Sequence, residues 1–403
     1  MAQSSSSRLL IIRDQFPSML LILIPLGIFY ILLHTLLFPR QLYDLISPLT
    51  SENDKMASCD YSQGKWIPDL TSPLYNDSCS VINHLNLCIT NGRPDTDYVY
   101  WRWKPDDCHL PRFDPEKVLR LLANKHIGFA GDSLAENQLE SLICMLSIAS
   151  TPVVIPRSGD PNLLKTWFFA SHNVTAFYVR SVWLVEGEDV FYYSTNKLYL
   201  DKVDQRWASA SFDILVLNAG QWFFQPAMYY DGGDDSVVGC NQCSGNNYTE
   251  LGFHNAYRRT VRASLAAIKL GARSDKEIQV IMATFSPSHF NRPREQNGEC
   301  PLKKPYKEGE YDIDSNSKIM RQIVLEEIET TRSNPETKII IDTLDVTYLS
   351  GLRPDGHPGP YRLPPSATGA RGMDCLHWCM PGVIDTWNEI LVAIIKRRQK
   401  YKV

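Results

Sequence analysis

The chain has 403 residues, 44% of them apolar and 21% charged, and a net charge of −4. The apolar share is ordinary for a globular protein, and the length suits one large domain or a domain with an appended module. With no long Lys/Arg run and a slight excess of acids, the chain is not expected to have nucleic acid as its partner, whereas a neutral polymer tolerates such a surface.

Residues 1–18 are read as a short tail carrying Arg8 and Arg13. From Met19 to Phe38 the chain then reads MLLILIPLGIFYILLHTLLF, close to the roughly 20 apolar residues that span a bilayer core. This run is read as a single membrane anchor, because Pro25, Gly27 and His34 are tolerated in membrane helices. The alternative is a cleaved signal peptide, whose apolar region is usually only about 7 to 15 residues. All ten cysteines lie beyond the run, as do the acceptor triplets at Asn76, Asn173 and Asn247. Both features suit an oxidising secretory lumen, so the expected topology has a cytosolic tail and a lumenal body.

Residues 39–57 are polar and without clear periodicity, as a stem would be. Residues 58–113 bring Cys59, Cys79, Cys88 and Cys108 among Gly, Pro, Trp and Tyr, the composition of a disulfide-stapled, loop-rich module. Its Trp101-Arg102-Trp103 can touch a sugar ring, although packing beneath a loop is the commoner fate of such residues.

Residues 114–403 alternate strand-like and helical runs, the pattern of a parallel sheet covered by helices. Strands are expected at Ile127–Ala130, Ile214–Leu217, Ile278–Thr284 and Lys338–Asp342, and helices at Leu134–Met145, Tyr257–Lys269, Ser317–Thr331 and Ile384–Arg397. The first two strands run into the polar loops Gly131-Asp132-Ser133 and Asn218-Ala219-Gly220, and sites in open α/β sheets form at the carboxyl ends of strands.

Ser133 therefore falls at a strand-to-helix turn, where Gly131 permits a tight backbone and the following amides can face an oxyanion. A bland reading also fits, in which Ser133 or Asp132 caps the next helix. A serine needs an imidazole within reach and a carboxylate to hold that imidazole in one tautomer. Asp374 and His377 supply both types three residues apart, in a turn flanked by Cys375 and Cys379. Together these residues point to acyl chemistry. Asn218, just past a strand end, is the candidate side-chain oxyanion donor. A zinc site from Cys240, Cys243, Cys375, His377 and Cys379 is the competing reading, but in an oxidising lumen disulfides are favoured and no metal is expected.

Cys59-Asp60-Tyr61 with Gly64-Lys65-Trp66, Tyr100 to Pro105, Cys108, GDSLAENQ from Gly131 and DCLHWCMPGVIDTWNEIL from Asp374 resemble the plant trichome birefringence-like proteins. The resemblance runs from Cys59 to the last helix. It implies a Golgi polysaccharide O-acetyltransferase, anchored through Met19 to Phe38 as a single-pass type II protein, with an SGNH/GDSL-like three-layer α/β/α core. It further implies Ser133 as nucleophile, His377 as base, Asp374 as orienter, and the Ser133 amide, Asn218 and Gly220 as oxyanion donors. Gly131, Asp132, Asn137, Cys375, Trp378 and Cys379 belong to its motifs. An acetyl donor is required and no cofactor is expected to stay bound. Members often carry arginine where this chain has Glu136, which leaves the role of that position open.

Trp101, Trp222 and Trp378 are candidate walls for an acceptor. Asn91 to Asp95 and Ser286 to Phe290 bring the resemblance nearest to members acting on xyloglucan or mannan, and a xyloglucan-type hemicellulose is the expected acceptor. A carbohydrate acetylesterase with the same three residues and a non-catalytic polysaccharide binder are the alternatives. The expected disulfides join Cys59 to Cys108, Cys79 to Cys144 and Cys88 to Cys375.

Overall fold

The computed structural model describes residues 59–156, 164–187, 195–231, 236–243, 247–271, 278–293, 296, 298–333, 339–366 and 372–400. The expected anchor and stem lie outside the described residues. No described helix is long and apolar enough to cross a membrane. Residues from Asp60 onward form one compact unit.

The chain opens with an antiparallel pair, β1 (Gly64–Pro68) and β2 (Trp101–Pro105), in which Trp66 lies opposite Trp103 with ring centroids 5.6 Å apart. Trp103 is buried and its indole N–H donates to the Tyr61 carbonyl, so this tryptophan belongs to the core, while Trp101 stays partly exposed. After α1 (Pro115–Leu121) come β3 (His126–Gly131), α2 (Ser133–Ser147), β4 (Val153–Val154), β5 (Leu164–Phe169), β6 (Val174–Arg180), β7 (Val185–Gly187), β8 (Asn196–Val203), the short α3 (Gln205–Ala208) and β9 (Ile214–Asn218). The rest comprises β10 (Ala227–Asp231), β11 (Ser236–Asn241), α4 (Gly252–Gly271), β12 (Gln279–Ala283), α5 (Ser315–Arg332), β13 (Ile340–Leu344), α6 (Thr347–Gly351) and α7 (Val383–Lys400).

The main sheet has the order β13-β12-β9-β3-β6-β5-β4. Its first five strands are parallel, but β5 and β4 extend one edge with antiparallel pairing. The wholly parallel sheet expected from the sequence is thus mixed, because only four residues separate β5 from β6 and so short a link forces antiparallel pairing. A second sheet, β11-β10-β8-β7, packs against α4.

Strand residues alternate between two buried faces, which is why the central strands are continuously apolar. Leu215, Leu217, Val280 and Met282 join Tyr257, Val261 and Leu265 of α4 and Ile323, Val324 and Ile328 of α5 in one core. Ile127, Phe129, Val216 and Ile281 are buried as the alternate set, toward the layer where α2 and α7 pack together and on the strands. Sheet and helices thus make a three-layer arrangement. The chain leaves β3 toward β6 on one side and reaches β9 on the other, so the carboxyl ends of β3 and β9 meet where the strand order reverses, the usual place for a site in such sheets.

Disulfides staple the N-terminal segment to the rest. Cys79 joins Cys144 of α2 as expected, and Cys59 and Cys108 are each disulfide-bonded. The bridge expected from Cys88 to Cys375 does not form. Cys88 pairs with Cys379, and Cys375 pairs with Cys300. Cys375 and Cys379 are four residues apart in one turn, and only the path of the folded loops decides which of them meets the N-terminal segment.

Candidate active site

The turn after β3 is built by a close approach of two strands. Gly131 lies opposite Asn218 of β9, and a Cβ at residue 131 would sit 1.8 Å from the Asn218 carbonyl oxygen. Only glycine fits there. The Asp132 N–H donates to that same carbonyl at 3.1 Å. Asp132 then caps α2, accepting from the Leu134 amide at 2.9 Å, while its second oxygen accepts from the Gly220 and Gln221 amides at 3.1 and 3.2 Å. Burial pushes the Asp132 carboxyl up, against the pull of these three amides. Both readings of the Gly-Asp-Ser turn therefore hold, since Asp132 caps the helix and leaves Ser133 half-exposed at its first position.

Ser133 Oγ lies 2.7 Å from His377 Nε2, and His377 Nδ1 lies 2.8 Å from Asp374 Oδ2. The other Asp374 oxygen accepts from the Leu376 and His377 amides at 3.1 and 3.0 Å. A carboxylate only accepts, so the ring carries its hydrogen on Nδ1 and turns a bare Nε2 to the serine hydroxyl. For Asp374, burial favours the neutral form, but His377, its amides and Arg362 outweigh it and hold the carboxyl far below the usual range. For His377, burial favours the neutral ring, yet the Asp374 charge and hydrogen bond raise its pKa above 6.5 against opposition from Arg362.

The sequence-derived oxyanion donors are placed unequally. Ser133 N–H, first in its helix, has no acceptor among the described residues. The Asn218 carboxamide stands 3.5 Å from Gln138 Oε1, a weak hold. Gly220 departs from expectation: its amide is already donated to Asp132, and it ties the two strand-end turns together instead of presenting a free donor.

The tryptophans also divide. Trp378 is 0% exposed, stacked on His357 with ring centroids 4.2 Å apart, so it packs the histidine loop and has no surface for a sugar. Trp101 lines a small cavity with Arg102, Asp385 and Glu389 whose walls include neither Ser133 nor His377. Trp222 sits half-buried on the short 3-10 turn Gln221–Phe224 and packs against the core, next in the chain to the Gly220 and Gln221 amides that bind Asp132.

The loop from Asp374 to Cys379 has no regular structure and is held from outside. Disulfides fix Cys375 and Cys379. Asn137 brackets Trp378, accepting from its N–H at 2.9 Å and donating to its carbonyl at 3.3 Å. His357 Nδ1 reaches the His377 carbonyl at 2.7 Å, and the His289 amide donates to the Cys375 carbonyl at 2.9 Å. Arg93, 4% exposed, donates to the carbonyls of His357 and Asp355 and so supports the site from within. Arg93 and His289 lie in stretches that carry the family resemblance, though their supporting roles are not legible there, and His357 had no signal in the sequence beyond its polar character. At the rim, Glu136 forms an ion pair with Lys165 of β5. The competing zinc set is oxidised, with Cys240 joined to Cys243 and no free cysteine among the described residues, so thiolate ligands are absent.

Residues 110–394 match the family model described as a GDSL/SGNH-like acyl-esterase family found in Pmr5 and Cas1p, and residues 57–109 match the Pmr5 N-terminal domain. The chain is 46% identical over 384 residues to xyloglucan O-acetyltransferase 1 of Populus trichocarpa, spanning 89% of each chain. It is 44% identical over 352 residues to xyloglucan O-acetyltransferase 1 of Arabidopsis thaliana, spanning 84% of this chain and 80% of that one. It is also 37% identical over 375 residues to the trichome birefringence-like 25 protein of Arabidopsis thaliana, spanning 89% and 81%. On the residues of both turns and on this span of identity, the chain belongs to the GDSL/SGNH-like acyl-esterase family found in Pmr5 and Cas1p and, within it, to the trichome birefringence-like proteins.

Proposed function

We propose that the protein transfers acetyl groups to hydroxyls of a hemicellulose, xyloglucan in first place, through an acetyl-serine on Ser133. The observation that carries this reading is the chain of contacts Ser133 Oγ, His377 Nε2, His377 Nδ1, Asp374 Oδ2, at 2.7 and 2.8 Å. Ser133 Oγ attacks the acetyl carbonyl of the donor as its proton passes to Nε2, and the imidazolium that forms is stabilised by Asp374. The Ser133 amide and Asn218 Nδ2 face the oxyanion. Collapse expels the donor's leaving group, which takes the proton from Nε2. A sugar hydroxyl then gives its proton to Nε2 and attacks the acetyl-serine, and the second collapse returns the proton to Ser133.

The names of the relatives support xyloglucan as acceptor; mannan is the alternative. A lumenal body is supported by the oxidised cysteines and by the exposed acceptor asparagines Asn76, Asn173 and Asn247, and a Golgi anchor at Met19 to Phe38 by the family resemblance. A second reading, carbohydrate acetylesterase, is favoured by the esterase wording of the family description. Water and a sugar hydroxyl attack the same acetyl-serine, so Trp222 is assigned to the acceptor side, where it excludes water.

The test incubates the purified protein with an acetyl donor and a panel of xyloglucan and mannan oligosaccharides and reads acetate by mass. Transfer that disappears in Ser133→Ala supports the proposal. Net loss of acetate from acetylated oligosaccharide without donor would make the protein an esterase, and transfer retained in Ser133→Ala would remove the serine from the mechanism.

A further inference from the structure

Behind the His377 loop lies a second pair of histidines. His357 Nδ1 is 2.7 Å from the His377 carbonyl oxygen, His357 Nε2 is 2.6 Å from His289 Nδ1, and His289 Nε2 is 2.7 Å from the Gly351 carbonyl oxygen. Three short contacts thus link two carbonyls through two imidazoles. Carbonyl oxygens only accept, so His357 Nδ1 and His289 Nε2 must each hold a hydrogen. The two inner nitrogens then face one another at 2.6 Å, where two lone pairs repel unless a proton lies between them. Two neutral imidazoles carry two ring hydrogens in all, one short of what three contacts need. The full set closes only with a third proton, which gives the pair one positive charge.

The aromatic neighbours favour such a cation. Trp378 stacks on His357 with ring centroids 4.2 Å apart and planes at 23°, an arrangement that favours a charged ring. Tyr306 and Tyr311 flank His289, each with its ring centroid 6.4 Å away. Burial is the strongest influence and holds both imidazoles below the ordinary histidine range, His357 well below it. His289 and His377 also oppose charge on His357, while the Gly351 carbonyl, Asp355 and Asp314 favour charge on His289, and the His377 carbonyl and Asp374 favour it on His357. The Asp355 carboxylate is taken by Arg353 at 2.8 and 2.9 Å, and no carboxylate of the described residues hydrogen-bonds to either imidazole.

We propose that His289 and His357 hold one proton in common and act as a positioning pair, fixing the His377 carbonyl and through it the imidazole that faces Ser133. The inference rests on the function proposed above for its role, but its proton count does not. While bridged, the pair places a positive charge behind His377 and opposes the pull of Asp374 on that ring. When the shared proton leaves, one of the three contacts loses its hydrogen and the His377 carbonyl is held less firmly. His377 must be neutral to act as base, which sets the acid limb of kcat/KM; the bridge must hold its proton above that pH, against the burial of both rings, so that its loss sets an alkaline limb.

The experiment combines nuclear magnetic resonance of the full chain labelled with 15N-histidine and pH profiles of His289→Gln. In the unaltered protein and in Ser133→Ala, a strongly downfield, exchange-protected proton coupled to ring nitrogens of two histidines is expected, and it vanishes in His289→Gln. The glutamine offers His357 Nε2 an N–H that does not titrate, so its alkaline limb should shift or disappear while activity at the optimum falls less than about tenfold. Two neutral rings with no shared proton at any pH where the protein is folded overturn the inference. So does an unchanged alkaline limb in His289→Gln. Because the resonance is read in Ser133→Ala as well, a protein that transfers no acetate still reports on the pair.

Discussion

The serine and the histidine of the site are held in opposite ways. Ser133 rides on regular structure: β3 delivers it, α2 carries it away, and its turn is locked by backbone contact with β9 and by the Asp132 carboxylate. His377 sits in a loop without helix or strand, held by two disulfides, by Asn137, and by hydrogen bonds to His357 and His289. A hydroxyl on a strand-to-helix turn inherits its place from the fold, whereas an imidazole in a loop needs cross-links from several distant segments. Damage on the two sides should therefore look different: loss of fold on the serine side, loss of turnover with the fold kept on the histidine side.

The largest effect is expected at Gly131. In Gly131→Ala the new Cβ meets the Asn218 carbonyl oxygen at 1.8 Å, a clash with backbone that no rotamer relieves. The strands must part at the centre of the sheet, at a cost of more than about 4 kcal/mol. Little folded protein should be recovered, and thermal unfolding checks it. A variant with an unchanged melting point would mean that the strands do not pack this closely.

The next contrast sets two disulfides against each other. Removing Cys300–Cys375 or Cys79–Cys144 by paired serine substitutions should cost about 2–5 kcal/mol in either case. The first frees the histidine loop and the second only tethers α2 to the N-terminal segment. Melting points should fall together while kcat falls mainly in Cys300→Ser/Cys375→Ser. Equal losses of kcat would show that the loop needs no anchor of its own.

Asn137→Ala is a smaller break on the same side. It removes both hydrogen bonds to the Trp378 backbone and leaves a buried N–H and carbonyl unpaired, worth about 1–3 kcal/mol. If the strain is relieved by movement of the loop, kcat drops about tenfold or more with KM unchanged. A rise in KM alone would place Asn137 in substrate binding.

These differences also explain what the sequence makes legible. Four strands of the main sheet and four long helices are readable because burial on two faces demands apolar runs such as Ile214 to Leu217, and because Asp132 and Asp314 cap helices with their own side chains. The hairpin of β5 and β6 was open to the same reading, with aromatic and β-branched runs four residues apart, yet its strands mix polar and apolar residues and their partner is fixed by the sheet. The two sides of the site follow the same division. Gly131, Asp132 and Ser133 announce a turn through their chemistry. The cross-links of the histidine loop, Cys375 to Cys300 and His377 to His357, join segments 75 and 20 residues apart through irregular backbone, where no periodicity records who meets whom. Gly220 misled for a related reason, since a free amide after β9 looks in sequence the same as one already given to Asp132.

The smallest effect belongs to the rim, where Glu136 stands three residues after Ser133 on α2 and is paired with Lys165 of β5. Lys165 also lies 3.7 Å from Glu140, whose carboxyl burial pushes up to about 8. In Lys165→Met the acid at Glu136 loses its partner, and its negative charge then acts on the serine side and on His377 across from it. A nearby negative charge stabilises the imidazolium and raises its pKa, so the acid limb of the activity profile should move to higher pH. Activity near pH 6 is expected to fall a few-fold, while activity above the limb stays the same, because there His377 is already neutral. Adding Glu136→Gln should return the limb to its place, and the double-mutant cycle isolates the pair from any packing loss at Lys165. A limb that does not move would show that solvent screens this part-exposed pair from the imidazole.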